Sequence, residues 1–149
     1  MARAKSSQRK FFSQHSLSLS TGGILLLWFV LYRRADASTH VGAFFGNAIA
    51  DWLGMFTFVI ATKYFYEIGS KESRRPHPHV HVRIARWMIE HSLTIVLVVT
   101  GLLWAWLYSR MDVDGKFGQV VGNIVSEWTQ LIGLVVMTKY AREIGSKQQ

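Results

Sequence analysis

Apolar residues gather into four long runs separated by short polar segments: about Leu17 to Tyr32, Val41 to Tyr66, Leu93 to Tyr108 and Phe117 to Tyr140. A helix needs about 20 mostly apolar residues to cross a bilayer, so the two shorter runs must extend into their polar flanks. Four spanning helices are expected. The first run does not read as a cleavable signal, because its counterpart Leu93 to Tyr108 is internal and no small-residue cleavage site follows either.

The runs are related by an internal repeat. A shift of 76 positions aligns His15 to Ser73 with His91 to Gln149 without a gap. Trp28 matches Trp104, Tyr32 matches Tyr108, and Gly46-Asn47 matches Gly122-Asn123. The stretch Glu67-Ile68-Gly69-Ser70-Lys71 recurs as Glu143-Ile144-Gly145-Ser146-Lys147. Residues 1–73 thus form a first hairpin repeat with an N-terminal arm, residues 74–90 a His/Arg-rich connection with an interfacial helix, and residues 91–149 a second hairpin repeat. Gly69-Ser70 should end a helix, and Arg74-Arg75-Pro76-His77-Pro78 cannot continue one. A helical pattern resumes over Arg83 to Glu90, with Ile84, Trp87 and Met88 placed for the membrane interface and Arg83 and Arg86 for headgroups.

Charge fixes the expected orientation. Thirteen of the seventeen Lys and Arg residues lie in the N-terminal arm, the central connection and the C-terminal end, whereas Arg33, Arg34, Arg110 and Lys116 lie on the other side. By the positive-inside rule both termini are cytoplasmic. Each repeat crosses twice, so the two are parallel and any axis relating them runs along the membrane normal. The fold class is therefore an all-α integral membrane protein of four transmembrane helices, N-in and C-in, with the second helix of each hairpin at the centre. Of the 149 residues 17% are charged, below the roughly 25% of soluble domains. The net charge of +8 flanks apolar runs rather than forming a soluble basic face, so nucleic acid is not an expected partner. The absence of Cys excludes disulfides, thiolate metal sites and Cys nucleophiles.

Candidate chemistry lies in the second helix of each half. Asn47, Ala50, Asp51 and Gly54 align with Asn123, Ser126, Glu127 and Gln130, at spacings that share one helical face. A carboxylate about ten residues into a helix lies roughly 15 Å deep at 1.5 Å per residue. There an Asp costs about 2.5 to 3.5 kcal/mol on insertion scales and should face a partner, the protein interior or water. Duplication should bring Asp51 and Glu127 together. Gly42, Gly46, Ala50 and Gly54, echoed by Gly118, Gly122 and Ser126, form a small-residue ladder suited to close helix packing. Two carboxylates with the amide oxygens of Asn47, Asn123 and Gln130 offer hard ligands to a cation, or they share a proton, since like charge and burial both raise a carboxyl pKa. The alternative is hydrogen-bonded glue between helices.

Other candidates are weaker. His77, His79 and His81 could present three imidazoles on one face of an extended chain to a metal ion, against the reading of a solvated loop. His15 and His91 sit in matching contexts at the helix starts, where capping or interface roles outweigh haem ligation. Trp and Tyr near the helix ends suit aromatic belts, whereas Trp52 and Trp128 lie deeper and could donate indole N–H bonds. No phosphate loop, nucleophile elbow, zinc motif or Ser-His-Asp arrangement is present. A non-enzymatic protein without a cofactor is expected.

Asn123-Ile124-Val125-Ser126-Glu127-Trp128-Thr129-Gln130 and Gly69-Ser70-Lys71-Glu72-Ser73 resemble motifs of an uncharacterised family of small bacterial membrane proteins. There an Asn-x-x-Ser-Glu-aromatic-x-Gln stretch opens a helix that closes with Gly-Ser-x-Glu-Ser. Each motif is complete in only one half: Ala50, Asp51 and Gly54 depart from the first, and Gln148-Gln149 from the second. The resemblance implies a multi-pass protein of the bacterial cell inner membrane and brings no activity with it.

Two functions follow as expectations. One is a small oligomeric channel or transporter for a cation or proton, built on Asp51, Glu127, Asn47, Asn123, Ser126 and Gln130. The other is an accessory or scaffold subunit of a larger membrane complex. The expected partners are the lipid bilayer and either further copies of this chain or other membrane subunits. Phe58 and Leu134 lie on the same faces before Thr62 and Thr138 restore polarity, so an ion path would have to pass an apolar gate.

Overall fold

The computed structural model describes residues 2–70, 72–73, 82–112 and 114–140, with side chains from residue 14 onward. His77, His79 and His81 lie outside the described residues. Five helices make up the described chain: α1 Ala2–Arg34, α2 His40–Tyr64, α3 Arg83–Glu90, α4 Ser92–Arg110 and α5 Lys116–Tyr140. Four stretches are long and apolar enough to cross a membrane: Gln14–Arg34, His40–Tyr64, Ser92–Arg110 and Lys116–Tyr140. The two short apolar runs do extend into their flanks, as spanning requires.

Local chemistry sets the boundaries. Between α1 and α2 the Asp36 carboxylate accepts from the Ser38 amide at 2.9 Å and the Ser38 hydroxyl at 2.8 Å, which closes an Asx turn. Those two bonds hold the Asp36 carboxyl below its ordinary value. Thr39 then caps α2 by accepting from the Gly42 amide at 3.1 Å. Gly42 is required here for space, because a Cβ would lie 1.9 Å from the Asp36 carbonyl oxygen.

At its other end α2 stops at Tyr64, well before Gly69-Ser70. Phe65 turns to extended backbone, with φ −113° and ψ 157°. The reason is a competing set of partners across the chain. Tyr66 N–H donates to Ser92 Oγ at 2.9 Å, Leu93 N–H to the Tyr66 carbonyl at 3.0 Å, and Ile68 N–H to the Glu90 carbonyl at 2.7 Å. Gly69, at φ +83°, supplies the left-handed turn that brings the strap from Phe65 to Ser70 back over the α5 end. There it packs on the Lys139 side chain.

Helix α3 forms where the sequence pattern places it, and none of its residues is buried. Ile84, Trp87 and Met88 are all exposed.

The helices form a row rather than a closed bundle. Helix α1 packs on α2, α2 on α5 and α5 on α4, and α2 also touches α4, while among the described residues α1 and α4 do not pack on each other. Within the spanning windows 28% of residues are buried in α2 and α5, but 11% in α1 and α4, which places α2 and α5 at the centre. Two clusters hold the row together. One joins Tyr32, Ile49, Ala50, Val120, Ile124 and Trp128, with Trp28 and Trp104 packed against it. The second joins Ala61, Leu93, Leu97 and Val135, with Phe58 and Leu131 against it. Trp28 and Trp104 therefore serve the core rather than an aromatic belt: Trp28 packs on the rings of Phe44 and Phe45, and Trp104 on that of Trp128. Exposed Tyr64 and Tyr140 keep the terminal positions that a belt requires.

Candidate functional site

Asp51 and Glu127 occupy the same place in their helices, each eleven residues after the first residue of α2 or α5. The contact between those helices brings the two carboxyl groups within electrostatic and hydrogen-bonding reach of each other. Two carboxyl groups placed side by side can share a proton or hold a cation between them, which relieves the repulsion of like charges. One turn away the Asn123 amide donates to the Asn47 carbonyl oxygen. On the other side Gln130 Nε2 donates to Glu127 Oε1 at 3.3 Å. Asn47, Asp51, Asn123, Glu127 and Gln130 therefore form one continuous polar patch, with Ser126 exposed beside it.

The small-residue ladder divides between several contacts rather than lining a single helix interface. Gly54 faces the Glu127 side chain and Leu131, and Gly46 faces Tyr32 and Val120. Ala50 is fully buried. Gly42, by contrast, faces the Asp36–Ala37 turn, and Gly122 faces Tyr108 of its own hairpin. Gly118 is buried. The division follows from length: Gly42 lies one turn inside α2, where the inter-helix loop and not α5 is the neighbour.

The patch has an open side. Asn47, Asp51, Ser126, Thr129 and Gln130 are exposed on the surface of the row. Trp128 points the other way, and its indole N–H donates to Thr100 Oγ1 of α4 at 2.8 Å. Among the described residues no group of three or more His, Cys, Asp or Glu converges as a metal cluster would, so the patch suits a proton or a cation that accepts carboxylate and amide oxygens.

A second ionic centre lies at the strap, and sequence reasoning did not assemble it. Glu67, 3% exposed, accepts at Oε1 from His91 Nδ1 at 2.7 Å and from Lys139 Nζ at 3.1 Å. His91 sits at the start of α4 without capping it by its side chain, because Nδ1, which would have to accept from a helix N–H to cap it, is engaged with the Glu67 carboxylate. Burial pushes the Glu67 carboxyl up, but hydrogen bonds from Thr94, His91 and Lys139 and the charge of His91 outweigh it and hold it below its ordinary value. At the matching place in the first half, Lys63 Nζ lies 3.1 Å from His15 Nδ1. His, Lys and Glu each recur at the 76-residue shift, but the recurrence does not by itself bring Glu67 to His91 and Lys139.

Fold and site define an all-helical protein with four membrane-compatible helices and a carboxylate pair midway along the central two. No known protein family, curated protein or solved structure matches the chain.

Proposed function

We propose that this protein is a small multi-pass channel or transporter of the bacterial inner membrane, with both termini cytoplasmic, and that it binds a proton or cation between Asp51 and Glu127. The observation that carries this reading is the approach of two carboxyl groups at mid-helix, flanked by the Asn47–Asn123 hydrogen bond. Carboxylates at such a depth are costly and are functional by default. Structural glue alone would be served by amides, as Asn47 and Asn123 already serve it, without a second acid beside the first.

The two-hairpin arrangement as parallel repeats is part of this proposal. It is supported by the 76-residue repeat and by the recurrence of the Tyr32–Gly46 contact as Tyr108–Gly122. The role of the chain as an accessory subunit is the competing reading, favoured by the dry packing of Phe58, Ala61, Leu131 and Val135 beside the polar patch.

Proton and cation flux into liposomes holding the purified protein tests the proposal. Flux is expected from the wild type and lost in the Asp51→Asn, Glu127→Gln double variant, with the fold retained by circular dichroism. No flux above empty liposomes across protons and several cations would leave the accessory-subunit reading in its place.

A further inference from the structure

The polar patch is placed at mid-helix on an outer surface of the row, where lipid can neither donate nor accept hydrogen bonds. Asn47 and Asp51 on α2, and Ser126 and Gln130 on α5, are exposed. Beside Gly133 of α5, a turn further along, a Cβ would meet nothing within 4 Å. The interior of the row offers no alternative route. On one side of the carboxylate level Ile49, Ala50, Val120 and Ile124 fill the contact between the central helices, and on the other Phe58, Ala61, Leu131 and Val135 fill it. An ion reaching Asp51 and Glu127 must therefore travel along the open face and not through the chain.

We infer that a second copy of this chain covers that face, so that the ion path runs between two copies and each supplies one Asp51–Glu127 pair to it. This rests on the channel reading above and names its partner. The occupant follows from chemistry and symmetry. Amide and hydroxyl groups are each donor and acceptor, so the stripe is complementary to itself. Two copies inserted with the same orientation and related by a two-fold axis along the membrane normal bring equal depths face to face, so Asn47 and Gln130 meet amides and acids meet acids across a gap. The stripe carries no Lys or Arg that would call for an acidic partner of another kind. It also continues the α2–α5 contact, in which the same residue types already pair across the Asn47–Asn123 bond. The acids would meet as four carboxyl groups around one path, an arrangement that holds a proton or cation more firmly than either pair alone.

The native chain has no Cys, so single introduced thiols report the contact in native membranes. Met55 lies one turn from Asp51, and Met137 two turns from Gln130; both side chains are exposed, 48% and 66%. Leu27 of α1 and Leu103 of α4 are exposed on the outer helices, 52% and 60%. Under mild oxidation Met55→Cys and Met137→Cys are expected to shift most of the chain to twice its mass, while Leu27→Cys and Leu103→Cys leave it at monomer mass. Cross-linking at the outer helices without cross-linking at positions 55 and 137, or none at any position, would overturn the inference. Flux is measured on the same variants, which separates the two proposals. Asp51-dependent flux without the cross-links would keep the channel and remove the second copy, whereas cross-links without flux would keep the interface and remove the channel.

Discussion

Substituting Gln for Glu67 removes the negative charge between His91 and Lys139 while keeping the shape of the side chain. All three groups are mostly buried, with side-chain exposures of 4%, 23% and 20%, so the lost charge is not replaced by water at full strength. A loss of about 1 to 3 kcal/mol is expected, the usual cost of depriving buried groups of a charged hydrogen-bond partner. The effect has a pH signature. Because the folded-state pKa of Glu67 lies below the ordinary 4.5, its stabilisation is present above the unfolded value and is lost as pH falls through the lower folded value. Thermal melts in detergent should therefore separate wild type from Glu67→Gln at neutral pH and converge below the ordinary carboxylate range. A difference that stayed constant down to that acid range would assign the effect to packing instead. Neither His91 nor Lys139 announces this contact in the sequence, since each reads as an interfacial residue on its own; only the fold-back of Phe65 to Ser70 joins them.

Among the elements, α2 separates two kinds of glycine that look alike as a ladder. A Cβ at Gly42 would press on the Asp36 carbonyl and the Ala37 Cα, all backbone and all within 3 Å, so Gly42→Ala has to displace the inter-helix turn. A Cβ at Gly54 would make ordinary contact, at 3.5 Å from Glu127 Cβ. Gly42→Ala is thus expected to lower the melting temperature, by the equivalent of about 1 to 3 kcal/mol for an overpacked site. Gly54→Ala should leave it unchanged or raise it, since alanine is the better helix former by about 1 kcal/mol. Equal melts for the two would contradict the contact geometry. The elements themselves were largely readable: continuous apolar runs fix where four helices lie, and the Ile84, Trp87, Met88 spacing fixes α3. The end of α2 was not, because Phe65 and Tyr66 continue the apolar run and the first glycine signal comes only at Gly69. What stops the helix is a set of backbone partners on residues 90 to 93, which periodicity cannot contain.

For the molecule as a whole, the concentration of thirteen of seventeen basic residues on one side of the four candidate spans predicts that both ends of the chain face the cytoplasm. Thiol labelling from outside intact cells should reach a Cys introduced at Ser38 and spare one introduced at Ser73; labelling at Ser73 alone would invert the orientation. The carboxylate pair was readable at this scale because the repeat carries Asp51 onto Glu127. The open row of helices was not, since an apolar surface looks the same to a sequence whether lipid or another helix covers it.

The polar contacts that cross the molecule share one property. Asn47 with Asn123, Asp51 with Glu127, Glu67 with His91 and Lys139, and the Tyr32 hydroxyl with the Lys116 carbonyl each join the first half to the second. During synthesis the first hairpin therefore emerges with every one of these groups lacking its mate. On the membrane reading proposed above, those unpaired groups disfavour release of the first hairpin into lipid before the second arrives.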